Sequence, residues 1–329
     1  MEFDRRRALV SAAGIAVGGM ATARLLPEEM LLRDRRPSRS RVALLSVVEY
    51  AEGLVDTLTR ALRLFELTLR DRSVLLKPNL VEYIAGAEVN TNPVLVGAAA
   101  EAFLRLGARS VVVAEGPGHQ RDTHLVLAES GLGPQLRSQK IAFIDLNRDE
   151  LIRARLRANY TGLDHLWLPR TVLASDFVVS MPKIKTHHWA GVTLSMKNMF
   201  GVVPGTKYGW PKNVLHWKGI HRSILDICAT VPVHFVIADG VIAMEGNGPL
   251  HGTDRHLGKI VLADDPVAAD FTCARLMGLD PNRVWHLNRA AHFLGNGSDH
   301  RIDLVAEALP ARTIPFNVLP EFNYLQTHV

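Results

Sequence analysis

Residues 176–201 read DFVVSMPKIKTHHWAGVTLSMKNMFG, and the fold can be worked out from this stretch. Its apolar run, Phe177–Met181, has the length and composition of a buried strand, and the proline that follows ends it because proline lacks a backbone N–H. Lys183, Lys185 and His187 come next, at alternate positions. Alternate side chains of an extended chain point to the same side, so the sequence predicts a cluster of polar groups beyond the strand.

Apolar runs that alternate with helical patterns extend along the rest of the chain. The predicted strands cover residues 42–48, 74–76, 110–114, 141–146, 165–168, 177–181, 233–238 and 259–263. Alternating strands and helices require crossover connections, so the sequence predicts an α/β fold with a mainly parallel sheet, helices on both faces and Rossmann-like layers. We assign residues 41–310 to this α/β domain and residues 311–329 to an irregular C-terminal tail.

Polar residues directly follow four of the predicted strands. Parallel sheets bind ligands outside the carboxyl ends of their strands, so these residues should meet at one site. The expected cleft is bordered by Lys77, His119, Lys183, Lys185, His187, Lys197 and Asp239. The predicted catalytic residues are Lys197, His187, Lys185 and Asp239. The predicted substrate-binding residues are Lys77, Asn79, Lys183, Asn198, Glu245, Gly246 and Gly248.

The charge in this part of the chain is one-sided. No Asp or Glu occurs between Asp176 and Asp226, which indicates a pocket for a small carboxylate or phosphate, with a solvated basic surface as the alternative. Lys197 lies between two methionines and should be the least solvated charge. A desolvated lysine has a lowered pKa, which suits proton transfer or a Schiff base. We expect Lys183 and Lys185 to be more exposed to solvent than Lys197.

Two classes of function fit these residues. One is an enzyme that acts on a small anionic substrate with Lys and His as acid–base groups. The other is a non-catalytic protein that holds a ligand, cofactor or metal in the same cleft. Only the enzyme needs a group that titrates near the working pH. Binding of nucleic acid is not expected, because the sequence contains no recognised nucleic-acid module.

Several histidines and acids in the sequence are potential ligands of a divalent metal ion. The candidate ligands are His187, His188, His221, Asp239, Glu245 and His251. No pair has the His-x-x-x-His spacing of a helical zinc site, but ligands that are distant in sequence can still meet. A lone histidine more often has a structural role. That role is predicted for His216, His256, His286, His292 and His300.

The N-terminal residues have features of an export signal. Arg5 and Arg6 precede a weakly apolar stretch, and Ala21-Thr22-Ala23 matches a small-x-small cleavage pattern. We predict that residues 1–23 are a twin-arginine-like signal and residues 24–40 a linker, which implies a periplasmic or extracytoplasmic location. A basic amphipathic N-terminus is the alternative. No apolar run of 18 residues occurs in the body, so no integral membrane domain is expected beyond a possible uncleaved signal.

Several short motifs occur together in this chain. They are LKPNL at 76–80, TNP at 91–93, MPKIKTH at 181–187, MKNMFG at 196–201, DG at 239–240, EGNGP at 245–249 and DPVAAD at 265–270. In combination they resemble the domain-of-unknown-function family 362 over about residues 74–280.

The resemblance implies an α/β fold but no settled activity. Some members of the family look like fusions to a ferredoxin-type module. This chain has only Cys228 and Cys273, so it cannot hold an iron–sulfur cluster by itself. A separate redox partner, from the same operon or complex, remains open.

Overall fold

The computed structural model describes residues 34–118 and 122–327. Their strands are β1 Ser40–Ser46, β2 Ser73–Pro78, β3 Ser110–Glu115, β4 Ala142–Asp145, β5 Leu151–Arg155, β6 His165–Pro169, β7 Phe177–Met181, β8 Lys183–His187, β9 Gly191–Thr193, β10 Phe235–Asn247, β11 His251–Ala263 and β12 Ile302–Ala306. Their helices are α1 Leu54–Leu62, α2 Pro93–Arg105, α3 Thr123–Glu129, α4 Leu132–Ser138, α5 Arg170–Ala174, α6 Ser195–Asn198, α7 Gly205–Tyr208, α8 Asn213–Trp217, α9 Ile220–Thr230, α10 Pro266–Leu276 and α11 Trp285–Ala290. The predicted export signal and His119 lie outside the described residues.

One large sheet organises the described residues. Its strand order is β12-β1-β11-β10-β7-β2-β3-β4, and β8 and β9 join it through β10. The pairs from β10 through β7, β2 and β3 to β4 are parallel, as are β10 with β8 and β1 with β12. Antiparallel pairs join β11 to its two neighbours and β8 to β9. The predicted α/β fold with a mainly parallel sheet is therefore confirmed.

Side chains are buried on both faces of the central strands. In β2, Val74 and Leu76 enter the apolar core formed with α1 and α2, whereas Leu75 is fully buried on the opposite face. Phe235 of β10 meets Phe65 edge to face, with ring centroids 4.8 Å apart. Helix α10 packs against β1, β10 and β11. Coverage of both faces explains why the strands are continuous apolar runs in the sequence.

The hairpin of β10 and β11 extends far beyond its apolar part. Its pairing runs from Val236 with Ala263 to Asn247 with His251. Strand β11 therefore begins at His251 rather than at residue 259, as the apolar pattern predicted. The added residues are mostly polar and partly exposed, so they lack the apolar run by which a buried strand is identified.

Residues 176–201, quoted at the start, fold largely as expected. Strand β7 has the predicted bounds, and after one proline the chain continues extended as β8. Strand β9 then pairs back on β8 and leads directly into α6. Among the described helices, none is both long enough and apolar enough to cross a membrane.

Candidate functional site

A cavity of about 170 Å³ lies beside the carboxyl ends of β2, β3 and β8. Its lining residues come from segments 79–81, 115–118, 187–201, 211–216 and 249–250. The first three segments end or directly follow strands of the sheet, which is where parallel sheets bind ligands. Four of the predicted site residues line it, namely Asn79, His187, Lys197 and Asn198.

Lys77 lies behind this wall in a fully buried network. Its Nζ forms an ion pair with Glu115 and donates to Pro78 O at 2.9 Å and to Asn198 Oδ1 at 3.1 Å. The Asn198 Nδ2 donates back to Lys77 O at 3.0 Å and to Ser180 Oγ at 3.1 Å. Burial lowers the pKa of Lys77, and Glu115 opposes that shift. The ion pair neutralises itself, so Lys77 and Asn198 support the wall of the cavity.

Gly201 lets this ion pair lie against the backbone. A Cβ at this position would overlap Glu115 Oε1 and would lie 2.6 Å from Lys77 Nζ. Both contacts are too close for a side chain, so a larger residue would push the ion pair apart. Steric exclusion therefore explains why the MKNMFG motif ends in glycine.

Lys197 lies on α6, a single turn whose start is fixed by a buried carboxylate. Asp270 on α10 accepts hydrogen bonds from Ser195 N at 2.6 Å and from Met196 N at 2.9 Å. Burial raises the pKa of Asp270 to about 8, although the two hydrogen bonds favour its charged form. Asp270 thereby sets the orientation in which α6 carries Lys197 beside the cavity.

The amine of Lys197 has no protein partner of opposite charge. In the described part of the chain its Nζ makes no hydrogen bond and no ion pair. It lies 4.7 Å from the ring centroid of Phe200, within the range of a cation–π contact. Burial and the charge of Lys77 lower the pKa of Lys197 to about 8, against the opposing effect of Glu115. The group therefore titrates close to neutral pH.

Lys212 is a cavity residue that sequence reasoning did not assign to the site. Its side chain is buried, and its Nζ donates to Gly116 O at 2.9 Å and to Phe200 O at 3.0 Å. Burial lowers the pKa of Lys212 to about 7, and the charges of Lys77 and Lys197 act in the same direction. The two carbonyls accept two of the three ammonium protons, so one remains for a ligand. The sequence signal that could have identified Lys212 is its position within residues 177–225, the acid-free segment that contains no Asp or Glu.

His187 is held as a neutral ring. Its Nδ1 accepts hydrogen bonds from Trp189 N at 2.9 Å and from Ala190 N at 3.2 Å, which leaves the ring proton on Nε2. Burial and the charge of Lys197 keep the pKa of His187 well below its usual value. The ring can therefore donate a hydrogen bond from Nε2 without carrying a charge.

Two more histidines border the cavity. The ring of His188 stacks on His187 with centroids 4.8 Å apart, and its Nδ1 donates to Gly248 O at 2.8 Å. His216 donates from Nδ1 to Lys212 O at 3.2 Å, and burial lowers its pKa. The sequence indicated only a structural role for His216, yet its ring lines the cavity.

Two polar atoms of cavity residues have no partner. Asn79 Oδ1 and Thr193 Oγ1 are buried and make no hydrogen bond within residues 34–118 and 122–327. Buried polar atoms of native proteins are nearly always paired. These two residues therefore provide hydrogen-bonding capacity that the protein itself does not use.

The structure does not bring Lys183 and Asp239 to the cavity. Lys183 Nζ bonds to Asp239 Oδ2 and Glu88 Oε2, each at 3.1 Å, and to Tyr50 OH at 3.2 Å. Asp239 also accepts from Tyr50 OH at 2.6 Å and from Asn92 N at 2.9 Å. Both charged residues are 0% exposed. The expectation of a wet Lys183 and a cleft-bordering Asp239 is wrong, because they neutralise each other inside the protein.

Lys185 is buried as well, and the expectation of a wet lysine is wrong here too. The expectation that Lys197 is the least solvated charge is also wrong, because its side chain is only half-buried and Lys183 and Lys185 are fully buried. Lys185 is 0% exposed, and its Nζ donates to Val89 O at 2.8 Å and to Pro249 O at 3.4 Å. Burial lowers the pKa of Lys185 well below its usual value, and the charges of Lys183 and Lys197 add to the effect. Lys185 therefore ties two loops together beside the cavity and does not line it.

The three predicted binding residues of the β10–β11 turn also make other contacts. Glu245 accepts from Asn317 Nδ2 at 2.7 Å and from Asn317 N at 3.1 Å. Gly246 O accepts from Thr186 Oγ1 at 2.8 Å. None of Glu245, Gly246 and Gly248 lines the cavity. Their contacts fix the β10–β11 turn, and residues 249–250 of that turn line the cavity.

The possible metal ligands do not form a centre in the described residues. Among residues 34–118 and 122–327, no group of three or more His, Cys, Asp or Glu side chains is placed to hold a metal ion. Glu245 is engaged with the C-terminal segment and Asp239 with a lysine, as described above. The cavity instead combines two lysines with His187 and His216, whose pKa values are lowered by burial.

A curated relative matches part of the chain. The thylakoid-associated protein sll1697 of Synechocystis sp. is 30% identical over 217 residues. The match covers 64% of this chain and 64% of that protein, so a part of each lies outside it.

Two solved structures are similar over part of their lengths. The lactate racemase apoprotein from Thermoanaerobacterium thermosaccharolyticum has a TM-score of 0.39 and 15% identity, over 67% of this chain and 52% of that chain. A Thermotoga maritima protein has a TM-score of 0.37 and 11% identity, over 61% of this chain and 53% of that chain. Similarity at this level carries no information on activity.

A family model spans the part of the chain that builds the cavity. The model described as a domain of unknown function, DUF362, matches residues 74–275. These residues include β2, the MPKIKTH and MKNMFG motifs and Asp270, so the resemblance found in the sequence is confirmed. Because the match covers more than half of its 329 residues, the chain belongs to the DUF362 family.

Proposed function

We propose that the protein is an enzyme that binds a small carboxylate or phosphate in this cavity and moves a proton with Lys197. The observation that supports this most is the amine of Lys197, which lines the cavity without an acidic partner in the described residues. A half-buried cation that has lost part of its hydration is costly to keep unless an anion accompanies it. An anionic substrate would supply that charge.

The charges around the cavity favour an anion. Glu115 is the carboxylate of the wall, and its ion pair with Lys77 prevents it from cancelling the remaining positive charge. Lys197 and Lys212 are then left to face a ligand. A hydrogen bond to a charged group contributes about 1.5–3 kcal/mol. Two such bonds would hold a small anion at a fixed position.

The pKa of Lys197 fits a proton-transfer role. A group with a pKa of about 8 exists both as amine and as ammonium near neutral pH, so it can accept a proton and return it. His187 complements it, because its Nε2–H can donate to a substrate oxygen while the ring stays neutral. In this arrangement Lys197 changes its protonation and His187 does not.

A matched pair of lysine variants tests the anion site. Lys197→Met should weaken binding of the anion that copurifies with the protein by about ten- to a hundredfold, because it removes one charge-assisted hydrogen bond. Lys218 is exposed, belongs to the same basic segment and does not line the cavity. Lys218→Met should leave the affinity nearly unchanged. Equal losses for both variants, each abolished by salt, would support a generic basic surface instead.

Proton transfer is tested with Lys197→Arg. Arginine keeps the positive charge but does not deprotonate near neutral pH, so binding should persist while turnover is lost. The natural protein, incubated in D2O with the copurifying anion, should incorporate deuterium into it, as seen by mass spectrometry and NMR. Binding without incorporation in the natural protein would make this a non-catalytic binding protein.

A further inference from the structure

We propose that the anion taken by this cavity is an apolar monocarboxylate of about five or six carbon atoms in total, rather than phosphate or a polar sugar acid. The proposal rests on the anion site described under Proposed function and adds the class of its ligand. Its basis is the composition of the cavity wall, which combines a few donors with a larger apolar surface.

Most of the wall is apolar. Leu80 and Val81 follow β2, Phe200 lies next to the lysines, and Pro249 and Leu250 come from the β10–β11 turn. Phe200 is 5% and Leu80 2% exposed, so both present a fixed surface. A ligand that is polar all round would lose hydration against these residues without gaining hydrogen bonds. An apolar body would instead gain about 25 cal/mol for each Å² that it buries.

The donors of the wall match a carboxylate better than a phosphate. Lys197 has its ammonium protons free of partners in the described residues, and Lys212 has one proton left beside its two carbonyls. A carboxylate has one negative charge and two oxygens, which these lysines can serve. A phosphate has about one and a half to two charges and three free oxygens, and among residues 34–118 and 122–327 no arginine lines the wall.

The volume limits the size of the apolar body. The cavity measures about 170 Å³. An engineered apolar cavity of about 150 Å³ in another protein holds benzene, which has six heavy atoms. Pentanoate has seven heavy atoms and hexanoate eight, so these two should fill the available space. Longer chains should gain nothing further.

A series of straight-chain carboxylates tests this directly. Acetate, propionate, butyrate, pentanoate, hexanoate and octanoate are titrated into the protein by calorimetry, with inorganic phosphate and sulfate beside them. The affinity should rise about fourfold with each buried methylene, which is about sixtyfold from acetate to pentanoate. It should level off after hexanoate. Phosphate and sulfate should bind more weakly than pentanoate.

Two variants separate the charge from the apolar wall. Lys197→Met should weaken every member of the series by a similar factor, because all share the carboxylate. Leu250 is half-buried at the wall, so Leu250→Asn should leave acetate unchanged and reduce the gain per methylene. Thermal melting of both variants reports whether the fold is kept.

The outcomes distinguish the ligand class from the anion site. If phosphate binds better than pentanoate, or if affinity does not depend on chain length, the apolar carboxylate is rejected while the anion site stands. If no anion binds, or if Lys197→Met has no effect on any of them, both proposals fail. A chain-length dependence that disappears in Leu250→Asn supports the proposal in full.

Discussion

Binding of an anion to this cavity should take up protons from solution. The pKa of Lys197 is lowered to about 8 and that of Lys212 to about 7, each chiefly because burial disfavours the charged form. A carboxylate placed beside them favours the charged form and raises both pKa values. The perturbation in this prediction is pH, and the probe is pentanoate, which stays ionised throughout the range.

The size of the uptake follows from these two pKa values. At pH 8 the unliganded protein carries about half a proton on Lys197 and about a tenth of one on Lys212. Full protonation of both in the complex would therefore take up about 1.4 protons, and a response of Lys197 alone about 0.5. At pH 6 both groups are already mostly protonated, so the uptake should fall to about 0.1.

Calorimetry in two buffers measures this number. The observed enthalpy at pH 8 is compared in Tris and in HEPES, whose ionisation enthalpies differ, and the slope gives the protons taken up for each pentanoate bound. Lys197→Met removes one of the two groups and should lower the uptake at pH 8 while the uptake due to Lys212 persists. The affinity itself should fall as pH rises from 7 to 10. No uptake at pH 8, or a release of protons, would refute the assignment of these lysines as partly deprotonated.

Three further predictions concern stability and export. Lys197→Met should raise the free energy of unfolding at pH 7 by about 1–3 kcal/mol, measured with urea, because its folded pKa lies below the unfolded value and its partial burial as a cation is unfavourable; the natural protein should gain stability from pH 8 to about pH 10.5, and the variant should gain less, because Lys185 and Lys212 still contribute but Lys197 does not. Asp270→Ala should cost about 2–4 kcal/mol and weaken anion binding, since two buried amides at the start of α6 lose their acceptor; an unchanged affinity in the folded variant would show that it does not position the lysine. Replacing Arg5 and Arg6 by Lys should leave unprocessed protein in the cytoplasm on cell fractionation, and normal export would reject the twin-arginine signal.

The fold was predictable because its signals are local. Strand β7 has the predicted bounds at Phe177–Met181, since a run of four apolar residues and one serine directly before a proline fits few other structures. The polar half of β11, from His251 to Gly258, was missed because its side chains are exposed or only partly buried and make no apolar run. Local patterns thus identify buried strands and overlook exposed ones.

The site was predictable where a residue directly follows a strand. Asn79 and His187 line the cavity because β2 and β8 end at the same edge of the sheet. The role of Lys183 could not be read in this way. Its partner Asp239 is 56 residues distant in sequence, and Tyr50, which joins them, is 189 residues from Asp239. Only the folded chain shows which lysines meet an acid.

The acid-free segment therefore does not have a uniformly positive environment. Folding brings Glu88 to Lys183, whose charge is neutralised, and backbone carbonyls to Lys185, whose pKa burial lowers well below its usual value. Lys197 is different because the nearby carboxylate, Glu115, is already paired with Lys77, so the acid that could have neutralised it is engaged. The ion pair between Lys77 and Glu115 thus leaves the amine of Lys197 without an acidic partner at the cavity. A site built in this way depends on Gly201, because a Cβ at this position would overlap Glu115 and Lys77 and displace the ion pair.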